Sequence, residues 1–337
     1  MPDYRGLQEC YWGFGFETAG GTANMRMLEP SATAAPAAPS TFNAIGYSSM
    51  PQFSINEQPA PIMSLGSYRL FNSYRGIRDY SLRAEITIGN WQFLNMAMRS
   101  AAGQYGSSNS LYKGLPVMAI ALGSMDTYSS PFNWIARYCM IRELSFSFAP
   151  GQPIRATLDF VPLFIELTGA SQLALSEENV RMAGGEILGW DNMAWTAGGQ
   201  DLSHWLEGIN ISISNGFRPI GQRRNKGDNN PISRVRRTIV PTSEQVSVNY
   251  NLAADIEPAL MYGGANSTLW GTVTMDAYNN DSGGSSQMLV TIDHNRLANM
   301  SMQGGQIGET LNFSASTLSG IVAITGTSTS QISALGS

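Results

Sequence analysis

The sequence predicts a mainly β protein built of two tandem β-sandwich or barrel units, each with a short flanking α-helix, together with long loops or arms. Two segments nearly repeat. Arg142-Glu143-Leu144-Ser145-Phe146-Ser147-Phe148 runs through Ala149-Pro150-Gly151-Gln152 into residues 153–160, which end Thr157-Leu158-Asp159-Phe160. Residues 296–302 run through Gln303-Gly304-Gly305-Gln306 into residues 307–313, which end Thr310-Leu311-Asn312-Phe313. The turn glycines stand 305 − 151 = 154 residues apart in a chain of 337, so the period has domain length and reads as a duplication. The third observation is alternation: Phe146 and Phe148 fall on one face of a strand and Ser145 and Ser147 on the other.

The segments upstream of the two hairpins also correspond. Residues 82–90 read as a strand. Residues 91–102 read as a short helix with Trp91, Leu94 and Met98 on one face, closed by Gly103. In the second half, residues 245–250 alternate as a strand, and residues 255–262 read as an apolar helix stopped by Gly263-Gly264.

Residues 1–65 form an N-terminal segment belonging to the first unit, with an extended loop or arm rich in Pro, Ala and Ser over about 28–64. That stretch reads either as a linker or as an arm laid over a neighbouring subunit. The first unit covers 66–175 and the second 176–313, with a connector near 176–183. Within the second unit, residues 208–214 alternate into Asn215-Gly216, a hairpin turn signal. Further strands are expected at 236–240, 246–250, 268–275 and 288–292, with a turn at 279–284. The segment 314–337 is Ser/Thr/Gly-rich and holds one apolar run, 320–324, suited to a last strand.

Charged residues make up 13% of the chain, about half the usual share, so much of the surface is neutral and suits burial against other copies. The net charge of −5 disfavours a general nucleic-acid binder. The N-terminus, Met1-Pro2-Asp3-Tyr4-Arg5, lacks a basic and apolar leader pattern, and no run approaches about 18 apolar residues. A cytoplasmic product without membrane contact is expected.

No chemistry stands out. His204 and His294 are the only histidines, and Cys10 and Cys139 the only cysteines. Neither a triad, a multi-histidine metal site, a phosphate loop nor a calcium loop can be assembled from the sequence. We therefore expect no enzyme activity, no cofactor and no metal.

The one charge concentration is basic: Arg218, Arg223, Arg224, Lys226, Arg234, Arg236 and Arg237 stand against Asp228 alone. Three readings are open for it. It is a nucleic-acid patch, although without interleaved aromatics; a loop that pairs with acids on a neighbouring subunit or ring; or a solvated loop.

Residues 141–160, IRELSFSFAPGQPIRATLDF, resemble the central hairpin of long-tailed bacteriophage tail tube (major tail) proteins. Residues 209–221, INISISNGFRPIG, with RTIVPT at 237–242 and EQVSVNYNLA at 244–253, resemble the second half of those proteins. The opening GFGFETAGGTA, residues 13–23, resembles their N-termini. The resemblance implies tail-tube-like β domains that join edge to edge into rings. The rings stack into a hollow tube around a tape-measure protein, bounded by terminator and baseplate proteins. Phage DNA leaves through the lumen without specific binding. The location is the virion tail, assembled in the host cytoplasm.

With two such domains per chain, three chains would complete a pseudo-sixfold ring; a six-chain ring is the second choice. The lumen-facing strands should be neutral or acidic. The arginine loop then belongs at a ring-to-ring or outer surface. A capsid or head-decoration protein and a carbohydrate-binding β-sandwich are the alternatives.

Overall fold

A computed structural model describes residues 10–16, 18–19, 22–23, 42–49, 51–57, 60–62, 72–74, 78–89, 97, 118–124, 133–162, 164–168, 187–197, 200–201, 203, 206–221, 237–253, 271–279, 285–303, 312–319 and 321–325. The chain is mainly β and its strands pair antiparallel throughout.

The first half supplies β1 (Cys10–Phe16), the short pair β2 (Thr18–Ala19) and β3 (Thr22–Ala23), β4 (Asn43–Ala44) and β5 (Gln52–Glu57). A second short pair follows, β6 (Ala60–Ile62) and β7 (Asn72–Tyr74), then β8 (Arg78–Thr87) and β9 (Met118–Ser124). β10 (Asn133–Phe148), β11 (Arg155–Val161) and β12 (Phe164–Thr168) complete it. The second half supplies β13 (Met193–Ala197), β14 (Gln200–Asp201), β15 (Leu206–Gly221), β16 (Arg237–Ala253), β17 (Gly271–Asn279), β18 (Ser285–Gln303), β19 (Asn312–Ser319) and β20 (Ile321–Thr325).

Both halves repeat one pairing order. β10 is long and belongs to two layers. Its first part pairs with β9 and β12, and β9 pairs with β1. Its second part pairs with β11, which leads to β8 and then β5. β18 does the same, with β17, β20 and β13 on its first part and β19, β16 and β15 on its second. The irregularities repeat too. The ladder to β9 slips between Ala136 and Cys139, and the ladder to β17 slips between Ile292 and Asn295. The ladder to β11 slips between Ile141 and Glu143, and that to β19 between Leu297 and Asn299. A bulge adds a residue at a fixed ladder position and bends the strand, so matching bulges set a register: 292 − 136 = 156 and 297 − 141 = 156.

That register corrects the one read from the sequence. The textual match gives 305 − 151 = 154 at the turn and 313 − 160 = 153 at its end, where it equates Phe160 with Phe313. In the ladders, however, Phe160 pairs with Ile141 while Phe313 pairs with Met302. The slip is 156 − 154, two residues, on the first strand and 157 − 153, four residues, on the second; an even slip leaves every side chain on its original face, so alternation alone cannot detect it.

The core lies between the layers. β5, β8, β11, β10, β15, β16, β19 and β18 form one continuous run of strands. Leu82, Ala84 and Ile86 of β8, Leu144 and Phe146 of β10, Leu158 and Phe160 of β11, and Ile211 and Ile213 of β15 line its dry face. Against them pack Phe14, Met118 and Ile120 from the first outer layer and Trp195, Val273, Met275 and Val290 from the second. Both outer layers share one cluster with the central run. The chain between the halves is tied down by backbone hydrogen bonds: Leu188 donates to Ile88, Ile88 to Ile154 and Ile154 to Leu188, each at 2.9 Å.

Between β10 and β11, Gly151 has φ +68° with open space where a Cβ would stand. The conformation alone therefore penalises a side chain there. Gly151→Ala should lower stability by about 1 kcal/mol, read as a shift of the denaturation midpoint at unchanged slope.

Four sequence expectations change or fall outside view. Asn215-Gly216 is no turn: β15 runs straight through it, pairing Asn215 with Glu244 and Gly216 with Ser243. The strands expected at 236–240 and 246–250 are one, β16, with Pro241 opposite Phe217 beside a bulge. β19 has not yet begun to pair there, so the missing N–H breaks no ladder on that side. The Ser/Thr-rich segment after 313 supplies most of β19 and all of β20, and the segment 28–64 supplies β4, β5 and β6. The helix expected over 91–102 lies outside the described residues except Ala97, which sits in a 3-10 turn and is buried; the one expected over 255–262 lies wholly outside them, as does the connector near 176–183.

Candidate interaction surfaces

The alternating sequences of β10 and β15 meet at the centre of the long sheet. Leu144 pairs with Ile213, Ser145 with Ser212, Phe146 with Ile211 and Ser147 with Asn210. Apolar residues oppose apolar ones and small polar residues oppose polar ones, so one face of the joint is dry and the other wet. Leu144, Phe146, Ile211 and Ile213 are all fully buried. Asn215 fastens the end of the joint. Its buried Nδ2 donates to the Ala97 carbonyl at 2.8 Å and to the Ile141 carbonyl at 3.1 Å. These bonds hold the amide in a strand, where a turn would have used it locally.

Among the described residues the two ends of the long run pair with no further strand: β5 pairs with β8 alone, and residues 296–303 of β18 pair with β19 alone. Unpaired edges offer a row of backbone donors and acceptors to another chain. Ile55, in the middle of β5, is 54% exposed. A large apolar side chain on an open strand edge suits a contact made later.

The described part of the wet face of the run is polar and slightly acidic. Ser54, Asn56, Ser145, Ser147, Asn210, Ser212, Ser214, Ser247 and Asn249 stand on it with the charged residues Arg83, Glu85, Glu143, Arg155 and Asp159. Arg155 Nη1 lies 3.2 Å from Glu85 Oε1, and Arg142 binds Asp159 through both Nη2 and, at 3.1 Å, Nε. Ser212 Oγ donates to Glu143 Oε1 at 3.2 Å. Among the described residues, Arg83, Arg142 and Arg155 stand against Asp79, Glu85, Glu143 and Asp159, which leaves one net negative charge, so this part of the face presents no basic field to a polyanion.

Two of the seven basic residues, Arg218 and Arg237, lie on an arm. Beyond the joint, residues 215–221 of β15 and 237–244 of β16 pair only with each other among the described residues. Arg218 pairs with Val240 and Arg237 with Gly221 towards the far end of this ribbon. Arg223, Arg224, Lys226, Arg234 and Arg236 lie outside the described residues. The first half has a counterpart in β6 and β7, which extend the β5–β8 hairpin with Pro61 opposite Ser73, as Pro219 stands opposite Ile239.

Sequence reasoning missed β5. The signal was present: Phe53-Ser54-Ile55 followed by Ala60-Pro61-Ile62 parallels Ile211-Ser212-Ile213 followed by Arg218-Pro219-Ile220 at a constant offset, 213 − 55 = 158 and 219 − 61 = 158. The surrounding Pro/Ala/Ser composition concealed it.

Among the described residues, these features define an antiparallel β protein with two sheet edges that pair no further strand and a hairpin arm that carries Arg218 and Arg237. No family model matches the chain, and no curated protein matches it. Among solved structures, it is similar to a chain of the anti-feeding prophage tube-terminating cap (TM-score 0.29, 10% identity, 40% of this chain and 89% of that one). It is also similar to a chain from the virion of a native gene transfer agent particle (0.28, 10%, 40% and 97%). A third is a sheath/tube terminator of an extracellular contractile injection system in its extended state (0.29, 12%, 40% and 94%).

Proposed function

We propose that this chain is a structural virion protein that self-assembles into stacked rings forming the hollow tail tube through which phage DNA is delivered. The observation that carries the reading is the β10–β15 joint. It supplies, inside one chain, the edge-to-edge union that the sequence resemblance implies between subunits. Two open edges at opposite ends of the same run allow the union to continue from copy to copy. A head-to-tail contact of this kind closes into a ring or climbs as a filament.

The repeated pairing order supports two tube domains per chain, and hence three chains in a pseudo-sixfold ring. The polar, slightly acidic wet face suits a lumen wall past which DNA slides. The arm bearing Arg218 and Arg237 suits contact between successive rings, with acids of the next ring as partners. Tape-measure, terminator and baseplate proteins are the further partners of such a tube, and the chain acts without catalysis.

Electron microscopy of the purified protein at rising concentration tests the reading. Hollow tubes with three copies per six-lobed ring are the expected result. Closed shells would replace it with a capsid role. Arg223→Glu with Arg224→Glu should leave the subunit folded and shorten or abolish tubes, through a like-charge penalty at each ring contact. Tubes of normal length in that variant would remove the arm from stacking.

A further inference from the structure

The two halves of the central run correspond row by row. Across β5, β8, β11 and β10 one row reads Phe53, Leu82, Phe160 and Ile141. Across β15, β16, β19 and β18 the matching row reads Ile211, Val248, Thr317 and Leu297. Each row ends at the residue preceding the bulge of its long strand. β5 is therefore to the first half what β15 is to the second, and residues 299–303 of β18 occupy the ladder positions of residues 143–147 of β10. The second half docks its β15 onto β10 of the first. The remaining members of the two sets, β5 and the end of β18, are the two open edges.

We infer that residues 299–303 of one chain pair antiparallel with residues 52–56 of a second copy, in the register of the internal joint. Carrying Glu143–Ser214, Leu144–Ile213, Ser145–Ser212, Phe146–Ile211 and Ser147–Asn210 across the correspondence sets Asn299 opposite Asn56 and Met300 opposite Ile55. The same transfer sets Ser301 opposite Ser54, Met302 opposite Phe53 and Gln303 opposite Gln52.

The match in chemistry was not imposed by the construction. Every polar residue meets a polar one and every apolar residue an apolar one. A one-residue slip would place Ile55 and Phe53 opposite Ser301 and either Asn299 or Gln303, against the alternation of both strands. Ile55, 54% exposed, holds the position at which Ile213 is fully buried beneath its joint. The exposure of this isoleucine is accounted for by the strand still to come. Methionine at positions 300 and 302 is suited to such a contact, because an unbranched thioether chain fits a partner surface of varied shape. This inference deepens the self-assembly reading and rests on it for the identity of the second copy.

Cross-linking of the full chain tests the register. Ser54→Cys and Ser301→Cys would be combined in a background with Cys10→Ser; Cys139 is buried in the core and is retained. Mild oxidation of concentrated protein, non-reducing electrophoresis and electron microscopy of the same sample give separate readouts. The expected result is a covalent ladder that ends at the closed ring. Ser54→Cys with Met302→Cys, one position out of register, should give little product. Rings or tubes that form without the Ser54–Ser301 cross-link would overturn the joint and leave the tube reading intact. Cross-linked multimers that never build tubes would support the joint and overturn the tube reading. Neither cross-link nor assembly would overturn both.

Discussion

Phe146→Ala should lower the unfolding free energy of the subunit by about 3–5 kcal/mol. Phe146 is fully buried in β10, opposite Ala156 on β11 and Ile211 on β15. Its ring stacks on Phe148 with centroids 6.0 Å apart, and Phe148 meets Trp195 edge-on at 5.6 Å. The chain of rings thus leads from the central sheet into the second outer layer. Ala156 is too small to collapse into the space a missing phenyl ring would leave, so the cavity term adds to the transfer term. The neighbouring exposed Ser147 offers a control, since Ser147→Ala should stay within about 0.5 kcal/mol of the parent. Denaturant titration at concentrations too low for assembly reads both. A loss under about 1.5 kcal/mol for Phe146→Ala would mean that the joint between the halves is loosely packed, contrary to the buried cluster that spans both halves.

Ile55→Asp should leave the subunit folded and weaken association by a hundredfold or more, on the order of the several kcal/mol required to bury an unpaired carboxylate at each joint. The same substitution at Ile213 should instead unfold the subunit. The two isoleucines hold corresponding ladder positions, but Ile213 is fully buried beneath Leu144 and Ile55 is half exposed. Charges aimed inward from an edge strand are an effective block to pairing. Circular dichroism separates the fold from the assembly, and sedimentation velocity measures the latter. Assembly of Ile55→Asp at the parental concentration would remove β5 from the contact. An unfolded Ile55→Asp would show that β5 is needed within the subunit.

The candidate surface was partly legible in the sequence. Alternation marked the β10–β11 hairpin and the start of β15, because a strand with one wet face must switch polarity at every residue. The arginine cluster was visible as composition, and its two described members, Arg218 and Arg237, do fall on one hairpin. The hairpin's extent was not visible. Asn215-Gly216 carries the usual turn residues, yet the chain continues because the Ala97 and Ile141 carbonyls, distant in sequence, take the Asn215 amide. β5 was hidden inside a Pro/Ala/Ser-rich stretch, and its importance depends on where its edge lies.

The sequence by itself determined the mainly β class and the central hairpin, and it showed two similar segments about half a chain apart, since each is written in local periodicity or in direct similarity between segments. Only the tertiary structure decided the ladder positions of those segments, the union of the halves through β10 and β15, and the two edges that pair no further strand among the described residues. A period of two survives a slip of two residues, so alternation cannot count ladder positions, whereas a bulge can. Which edge is covered and which is bare depends on strands far apart in the chain, and no local pattern specifies it.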